Sequence, residues 1–251
     1  MTDGSQIGAR LAATLVLIRD GTAGLEVLMA ARNDAAGFAA GACVFPGGRI
    51  DAGDGVLARS EDAGAAARVA AIRETWEECG VLLARRRDGA QLVRAAEIDA
   101  LCARCGKSFA RLIAGGALDI AIDLLVPFAH WITPQGRPKR YDTMFFLAPF
   151  DGDQTPRCDG QEAVEAFWAR PADMIARAGR GAAKLVFATQ MNLIKLARAP
   201  NVDAAVRAAR VDRIVTVIPE IAETVRGTVF RIPIEAGYGV SEVPAAGIPR
   251  A

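Results

Sequence analysis

The stretch Gly47-Gly48-Arg49-Ile50-Asp51-Ala52-Gly53-Asp54, followed further on by Arg73-Glu74-Thr75-Trp76-Glu77-Glu78-Cys79-Gly80-Val81, decides how this chain is organised. Two adjacent glycines permit positive φ angles and let a backbone come close to a ligand, so the first part predicts a glycine loop. The second part predicts the end of a helix, because a glycine commonly follows the last helical residue. The sequence therefore predicts a ligand-binding loop that leads into a helix.

This helix has an apolar face that predicts burial. At 100° per residue, one stripe contains Val69, Ile72, Trp76 and Cys79. Trp76 belongs to that stripe although it lies inside the motif. We therefore expect its indole ring to be a core side chain and not a ligand contact.

The opposite face carries three carboxylates: Glu74, Glu77 and Glu78. Their i, i+3, i+4 spacing makes them neighbours on the helix surface, where like charges repel one another unless a cation lies among them. A hard divalent cation with oxygen ligands, Mg²⁺ or Mn²⁺, fits that arrangement. Arg73 precedes Glu77 by four residues and is placed to hold its carboxylate. The alternative is a solvated acidic face, which is common for glutamates, but the preceding glycine loop favours a metal site.

Loop and helix together resemble the Nudix box, G-x5-E-x7-R-E-U-x-E-E-x-G-U with U apolar. The matching residues are Gly48, Arg73, Glu74, Glu77, Glu78, Gly80 and Val81. The sequence departs from the pattern at Asp54, where the family has Glu, and at Thr75, where an apolar residue is usual. Between Asp54 and Arg73 lie 18 residues where the pattern has seven. We expect the extra residues, within 55–65, to bulge out as a loop before the helix.

The resemblance implies an α/β fold, a Nudix-type α/β/α sandwich with a mixed sheet. It implies a hydrolase core over residues 9–178, and residues 179–251 are expected to pack on it as a C-terminal, mainly helical extension. It also implies hydrolysis of a nucleoside diphosphate linked to another group, with Mg²⁺ or Mn²⁺ as cofactor. A Nudix-like domain that senses a nucleotide without hydrolysing it is the competing class, but the intact glutamate triad favours an enzyme.

A second resemblance narrows the substrate. The run His130-Trp131-Ile132-Thr133-Pro134 and the later Arg140-Tyr141-Asp142-Thr143-Met144-Phe145-Phe146 look like Nudix enzymes that act as coenzyme A and acyl-CoA diphosphatases. It resembles in particular the larger kind, which has an insertion in the box. The implied products are 3′,5′-ADP and a phosphopantetheine. ADP-ribose, dinucleotides and nucleoside triphosphates are the alternative substrates.

These arguments assign candidate roles to named residues. The metal ligands are Glu74, Glu77 and Glu78; the catalytic residues are Glu77, Glu162 and Arg73; the substrate-binding residues are Gly47, Gly48, Arg32 and Arg140. Each of the less specific assignments has an ordinary structural alternative. Arg32 also fits an exposed strand end, and Glu162 and Glu165 fit a solvent-facing strand edge. The basic residues Arg137, Lys139 and Arg140 could meet a 3′-phosphate such as coenzyme A carries, or could belong to a solvated turn. His130, beside Trp131 on a strand, is more often packed and hydrogen-bonded than catalytic.

Composition indicates which partners, metal sites and cellular setting to expect. The chain has 251 residues, 52% hydrophobic and 24% charged, with a net charge of +1, so nothing indicates nucleic acid or an anionic membrane as partner. A small nucleoside diphosphate is the expected partner, and a homodimer is left open. The N-terminus lacks the pattern of a signal peptide. Five cysteines, with one C-x-x-C at Cys102 and Cys105 and a single histidine, favour neither a disulfide framework nor a zinc site. A reducing, cytoplasmic setting is expected.

Hydrophobic periodicity predicts the remaining elements. The predicted strands are residues 11–18, 25–31, 43–45, 81–84, 124–133, 141–150, 162–169, 213–218 and 228–234. The predicted helices are residues 62–79, 97–113, 171–177, 184–199 and 202–209. The first two strands surround a glycine-containing turn and are expected to form a hairpin.

Overall fold

The computed structural model describes residues 8–33, 40–58, 63–87, 89–158, 160, 162–225 and 227–245. The strands are β1 Arg10–Gly21, β2 Gly24–Arg32, β3 Ala42–Val44, β4 Gly47–Arg49, β5 Ala84–Arg86, β6 Leu118–Ile120, β7 Val126–Ile132, β8 Tyr141–Pro149, β9 Ala163–Ala169, β10 Lys184–Leu185, β11 Thr216–Val217, β12 Glu220–Thr224, β13 Gly227–Arg231 and β14 Glu242–Pro244. The helices are α1 Ala52–Ala58, α2 Ala63–Cys79, α3 Ala95–Cys105, α4 Phe109–Gly116, α5 Pro171–Gly179, α6 Phe187–Leu196 and α7 Val202–Val211. Short 3₁₀ turns lie at Ile122–Leu124 and Ile234–Ala236.

The main sheet is mixed, as predicted. Its strand order is β10-β3-β2-β1-β8-β7-β11, with β4 also paired to β1 and β9 to β2. Strands β1 and β2 form the expected antiparallel hairpin, whereas β1 and β8 are parallel, in register from Arg10 opposite Tyr141 to Ile18 opposite Pro149. The parallel pair brings the N-terminal half of β1 beside the start of β8, and this junction forms the floor of the candidate site.

Helices cover both faces of this sheet. Alternation along β1 sends Leu15 and Leu17 to one face and Val16 and Ile18 to the other. The first face packs against α2 through Val69, Ile72, Trp76 and Cys79. The second face packs against α6 and α7 through Met191, Leu193, Ala205 and Ala209. The α/β/α layering is thereby confirmed, and so is the burial of Trp76, which is 8% exposed.

The C-terminal segment contributes strands to the main sheet in addition to the expected helices. Strand β10 pairs with β3 at one edge, and β11 pairs with β7 at the other. Helices α6 and α7 were predicted, but the three-stranded sheet β12-β13-β14 was predicted only at β13. Among the described residues no helix has the length and apolarity that would let it cross a membrane.

Several predicted element bounds were wrong for local reasons. The helix expected over residues 97–113 is two helices, since Gly106 adopts a φ of 76° and ends α3. The strand expected at 81–84 begins only at Ala84; before it, the Gln154 side chain accepts from the Leu82 N–H (2.7 Å) and donates to the Leu82 carbonyl (3.0 Å). A side chain thus takes the place of a neighbouring strand, which satisfies buried backbone groups equally well.

Two further differences concern the insertion and the sixth helix. Part of the insertion in the box, expected as a loop, forms α1, while residues 59–62 lie outside the described residues. The helix expected to start at residue 184 starts at Phe187, because Lys184 and Leu185 pair with β3 instead.

Candidate active site

The candidate site is a cavity of about 640 Å³ on the sheet face that the C-terminal segment covers. Its lining includes residues of β1, β4, β8 and α2, together with residues that follow β10. Most of the predicted site residues line it: Gly47, Gly48, Arg73, Glu74, Glu77, Glu78, Arg32 and Glu162. The fold therefore brings together residues from four separate parts of the sequence.

The two glycines are needed for close approach and not for an unusual backbone angle. They lie in strand β4, paired with β1, and neither has a positive φ, so the expected glycine loop is a short strand. The Gly47 N–H donates to Glu78 Oε2 at 3.1 Å. A Cβ added to Gly48 would lie 2.4 Å from the carboxyl carbon of Glu74. Both carboxylates therefore lie directly against the β4 backbone, where a larger residue would displace them.

Arg73 holds the acidic cluster in place. Its guanidinium donates to both carboxylate oxygens of Asp54 (2.8 and 3.0 Å), to Glu74 (2.8 Å) and to Glu77 (2.9 Å). It also donates to the Arg49 carbonyl at 2.9 Å. Burial acts to lower the pKa of Arg73, but the hydrogen bond and charge of Asp54 and the charge of Glu74 outweigh it and raise the pKa. Asp54, which is 1% exposed, thus anchors Arg73 from helix α1.

Glu78 is the most deeply buried of the three motif glutamates, at 5% exposure. Burial raises its pKa to about 8, with the charges of Glu74 and Glu162 adding to the effect. The Gly47 N–H and the charge of Arg32 oppose this shift. Burial likewise raises the pKa of Glu74. A cation in this cluster would favour the ionised carboxylates, because it compensates for the water they have lost.

The donor set suits a hard divalent cation, since it consists of carboxylate oxygens. Glu78 Oε2 accepts from Gly47, whereas Oε1 lies 3.9 Å from the nearest Arg32 nitrogen and keeps its lone pairs for another ligand. Within the described ranges, no three side chains of the metal-binding types are already gathered as ligands. Arg73 binds both Glu74 and Glu77 through the same nitrogen, Nη1.

The remaining predicted residues divide between the cavity and its surroundings. Arg32 lines the cavity, and its buried Nε has no hydrogen-bond partner among the residues that the structure describes. Glu162 lines it just before β9, whereas Glu165 on β9 does not. Arg140 is not in the lining either; its Nε donates to the carbonyls of Thr133 and Pro134, both at 3.1 Å, and so holds the β7–β8 turn.

His130 is packed and hydrogen-bonded, as the sequence favoured. Its Nε2 lies 2.6 Å from Asp142 Oδ1, and its Nδ1 lies 2.8 Å from the Thr216 hydroxyl. These contacts tie β7 to β8 and to β11. The histidine and aspartate of the second resemblance therefore form a cross-strand pair outside the cavity lining.

Sequence reasoning missed two groups of lining residues. One is basic and consists of Arg10 and Arg49, which join Arg137, a residue the sequence had already suggested for a phosphate; the other is aromatic and includes Trp131, Phe187 and Phe230. Phe187 and Phe230 stack with ring centroids 4.5 Å apart, and Trp131 meets Phe187 edge-on at 5.6 Å. The signal for Arg10 lay in β-strand alternation, because Arg10, Ala12 and Thr14 share one face of β1. No local pattern points to Phe187 or Phe230, which reach the cavity only through tertiary packing.

Comparison with known proteins agrees with this geometry. Residues 58–183 match the family model described as NUDT19 Nudix domain. A curated Caenorhabditis elegans protein named "Putative nudix hydrolase 7" is 28% identical over 172 residues, which cover 68% of this chain and 55% of the relative. The chain thus spans about half the length of that relative. The crystal structure of a NUDIX hydrolase from Alicyclobacillus acidocaldarius is 32% identical, with a TM-score of 0.68, and the match covers 80% of this chain and 96% of that one.

Proposed function

This chain belongs to the Nudix hydrolase family, and on that premise we propose that it hydrolyses the diphosphate of coenzyme A or an acyl-coenzyme A with Mg²⁺ or Mn²⁺ as cofactor. The observation that carries the proposal is the composition of the cavity. Carboxylates that suit a metal–diphosphate complex share one space with several arginines and an aromatic wall. Coenzyme A combines the matching groups: a diphosphate, a separate phosphate and a long, less polar arm. The resemblance at residues 130–134 and 140–146 supports the same substrate.

In the proposed reaction, the oxygen of a water molecule attacks one phosphorus of the diphosphate. The bond from that phosphorus to the bridging oxygen breaks, and the bridging oxygen leaves with the other phosphate. The products are 3′,5′-ADP and (acyl-)phosphopantetheine. A bound divalent cation supplies charge neutralisation at the phosphate oxygens and lowers the pKa of bound water.

The acidic side chains of the site have two roles in this reaction, binding the cation and accepting the water proton. Glu74, Glu77 and Glu78 would hold the cation. Glu162 is the better candidate for the base that takes the water proton, because its carboxylate has no ion-pair or hydrogen-bond partner among the described residues, whereas Glu77 is bound to Arg73.

Arg32 and Arg73 have different roles in the site. Arg32 lines the cavity with its Nη1 3.9 Å from Glu78 Oε1, and a guanidinium in that place is suited to a phosphate oxygen. Arg73 is a positioning residue, since its guanidinium is already engaged by Asp54, Glu74, Glu77 and the Arg49 carbonyl.

The test is a panel of diphosphates incubated with Mg²⁺ or Mn²⁺ and resolved by chromatography. Coenzyme A and an acyl-coenzyme A are compared with ADP-ribose, a dinucleotide and a nucleoside triphosphate under identical metal conditions. We expect 3′,5′-ADP and a phosphopantetheine as the most efficiently formed products. More efficient turnover of ADP-ribose, a dinucleotide or a triphosphate would contradict the substrate but leave the hydrolase assignment intact. Tight nucleotide binding without turnover would instead indicate a sensor.

A further inference from the structure

One end of the cavity carries two arginines that the proposed chemistry does not yet use, Arg10 and Arg137. Strand register shows how far they lie from the acidic cluster. Thr14 on β1 pairs with Gly47, whose N–H contacts Glu78, whereas Arg10 lies four residues back on the same face and pairs with Tyr141. Four residues of strand span about 13 Å. The cavity therefore has an acidic end and a separate basic end.

Neither arginine is committed to a protein partner. In the part of the chain that the structure describes, Arg10 and Arg137 take part in no side-chain hydrogen bond or ion pair, unlike Arg73 and Arg140. The Asp51 carboxylate is the one closest to Arg10 in strand register, since the Ile50 N–H donates to the Leu11 carbonyl, but its Oδ2 lies 4.0 Å from Arg73 Nη2 and no ion pair joins it to Arg10 among the described residues. Two uncompensated guanidinium groups facing a cavity attract an anionic group of a ligand.

The neighbours of these arginines indicate the kind of anion. The lining at this end includes Thr133, whose hydroxyl accepts from the Tyr141 N–H and can donate its own hydrogen to an anionic oxygen. A phosphate monoester offers several such oxygens and a charge of about −1.5 to −2 at neutral pH, so it can engage both arginines at once. A ligand that reaches both ends must then carry a diphosphate and a second, separate phosphate.

We propose that Arg10 and Arg137 form a subsite for a phosphate monoester on the nucleoside part of the substrate. The proposal rests on the proposed function, and in coenzyme A the group it binds is the 3′-phosphate. Of the three basic residues that the sequence suggested for this phosphate, the proposal keeps Arg137 and leaves out Lys139 and Arg140. Lys139 is exposed and outside the cavity lining, and Arg140 holds the β7–β8 turn.

The first experiment compares coenzyme A with 3′-dephospho-coenzyme A as substrates for the wild type, Arg10→Gln, Arg137→Gln and the double variant. Each lost charge-assisted contact should lower kcat/KM for coenzyme A about tenfold or more, chiefly through KM. The values for the dephospho substrate should stay near those of the wild type. Lys139→Gln, in the same turn as Arg137, is the matched control and should keep the wild-type preference. A double variant that keeps its preference for coenzyme A overturns the subsite and leaves the proposed function standing.

The second experiment measures binding by calorimetry and needs no turnover. The wild type should bind 3′,5′-ADP at least about tenfold more tightly than 5′-AMP, and the double variant should bind the two alike. If coenzyme A is not hydrolysed but this difference is found, the proposed substrate fails and the subsite stands. If the wild type shows no difference, or the double variant retains it, the subsite is wrong whatever the substrate.

Discussion

Glu78 shows how a single side chain can be unfavourable for the protein alone and still necessary for its chemistry. Its carboxylate is buried, its pKa is raised to about 8, and one backbone N–H is its only hydrogen-bond donor among the described residues. Burial of a poorly compensated charge costs stability. In an isolated fold such a residue would be better replaced by a neutral one. This cost in stability is offset when a cation occupies the cluster.

Glu78→Gln should keep the fold and lose at least about 100-fold in kcat, because it removes a ligand charge while preserving shape and the acceptor for Gly47. In metal-free buffer its free energy of unfolding should equal or exceed that of the wild type. Adding Mg²⁺ should stabilise the wild type more than the variant. Steady-state kinetics and urea unfolding with and without Mg²⁺ measure these effects. Glu220→Gln, on exposed β12, is the control. Near-wild-type activity that still requires metal would exclude Glu78 as a ligand.

Trp76 is the opposite case, a motif residue whose role is structural. Its ring belongs to the core on the α2 face, and its Nε1 donates to the Lys107 carbonyl at 2.8 Å. Trp76→Ala should lower the free energy of unfolding by about 3–5 kcal/mol. Trp76→Phe keeps most of the packing and loses the hydrogen bond, so it should cost less. Urea unfolding ranks the two variants. A Trp76→Ala protein of wild-type stability but altered KM would show that the indole contacts substrate.

At the scale of elements, sequence patterns predicted the helices and strands whose formation depends on neighbouring residues. The β1–β2 hairpin, helix α2 and its apolar stripe follow from periodicity and from the turn between the strands. The basic end of the cavity does not follow from local patterns. Arg10 and Arg137 line the same end only because β1 and β8 are parallel and the turn before β8 brings Arg137 there. The metal-site glutamates were found because Arg73, Glu74, Glu77 and Glu78 lie within six consecutive residues of one helix. The aromatic wall was missed because its residues are more than forty positions apart.

Helix α1 has a role that the box pattern alone does not reveal. It carries Asp54, whose two oxygens hold Arg73 and whose Oδ2 also accepts from the Asp51 N–H at 2.8 Å. The family has a glutamate at this position of the pattern. Here the shorter Asp54 side chain reaches Arg73 from α1. Helix α1 thereby supports the acidic cluster from outside α2.

Asp54→Asn should therefore affect both stability and activity. Loss of one charge from a buried pair should cost about 1.5–3 kcal/mol, less than for an isolated buried pair because Glu74 and Glu77 still bind Arg73. The kcat should also fall, since Arg73, without its ion pair to Asp54, fixes the position of those two carboxylates less firmly. Asp99→Asn, which disrupts an exposed pair with Arg157 at 3.7 Å, should cost at most about 1 kcal/mol. Equal stability and activity of Asp54→Asn and the wild type would show that α1 is dispensable to the site.

At the scale of the whole molecule, the residues expected to form a separate extension complete both the sheet and the cavity. Strands β10 and β11 continue the main sheet at its two edges, and α6 and α7 share a core with β1 and β8. Phe187 and Phe230 line the cavity that holds the family's glutamates. The carboxylates alone are therefore only part of the site, and we expect the segment after residue 178 to fold together with the rest.

The three tryptophans allow that expectation to be tested, because Trp131 lies in the core on the cavity face while Trp76 and Trp168 pack on the α2 face. Trp131→Phe leaves only the second pair as fluorescent reporters, and Trp76→Phe combined with Trp168→Phe leaves only Trp131. In urea, each variant's fluorescence should follow its own circular dichroism in a single transition. A ligand such as 3′,5′-ADP at 100 times its Kd should stabilise either variant by about 2.7 kcal/mol, because the cavity needs both faces folded. An earlier transition seen only by Trp131 would instead establish residues 179–251 as a domain that unfolds by itself.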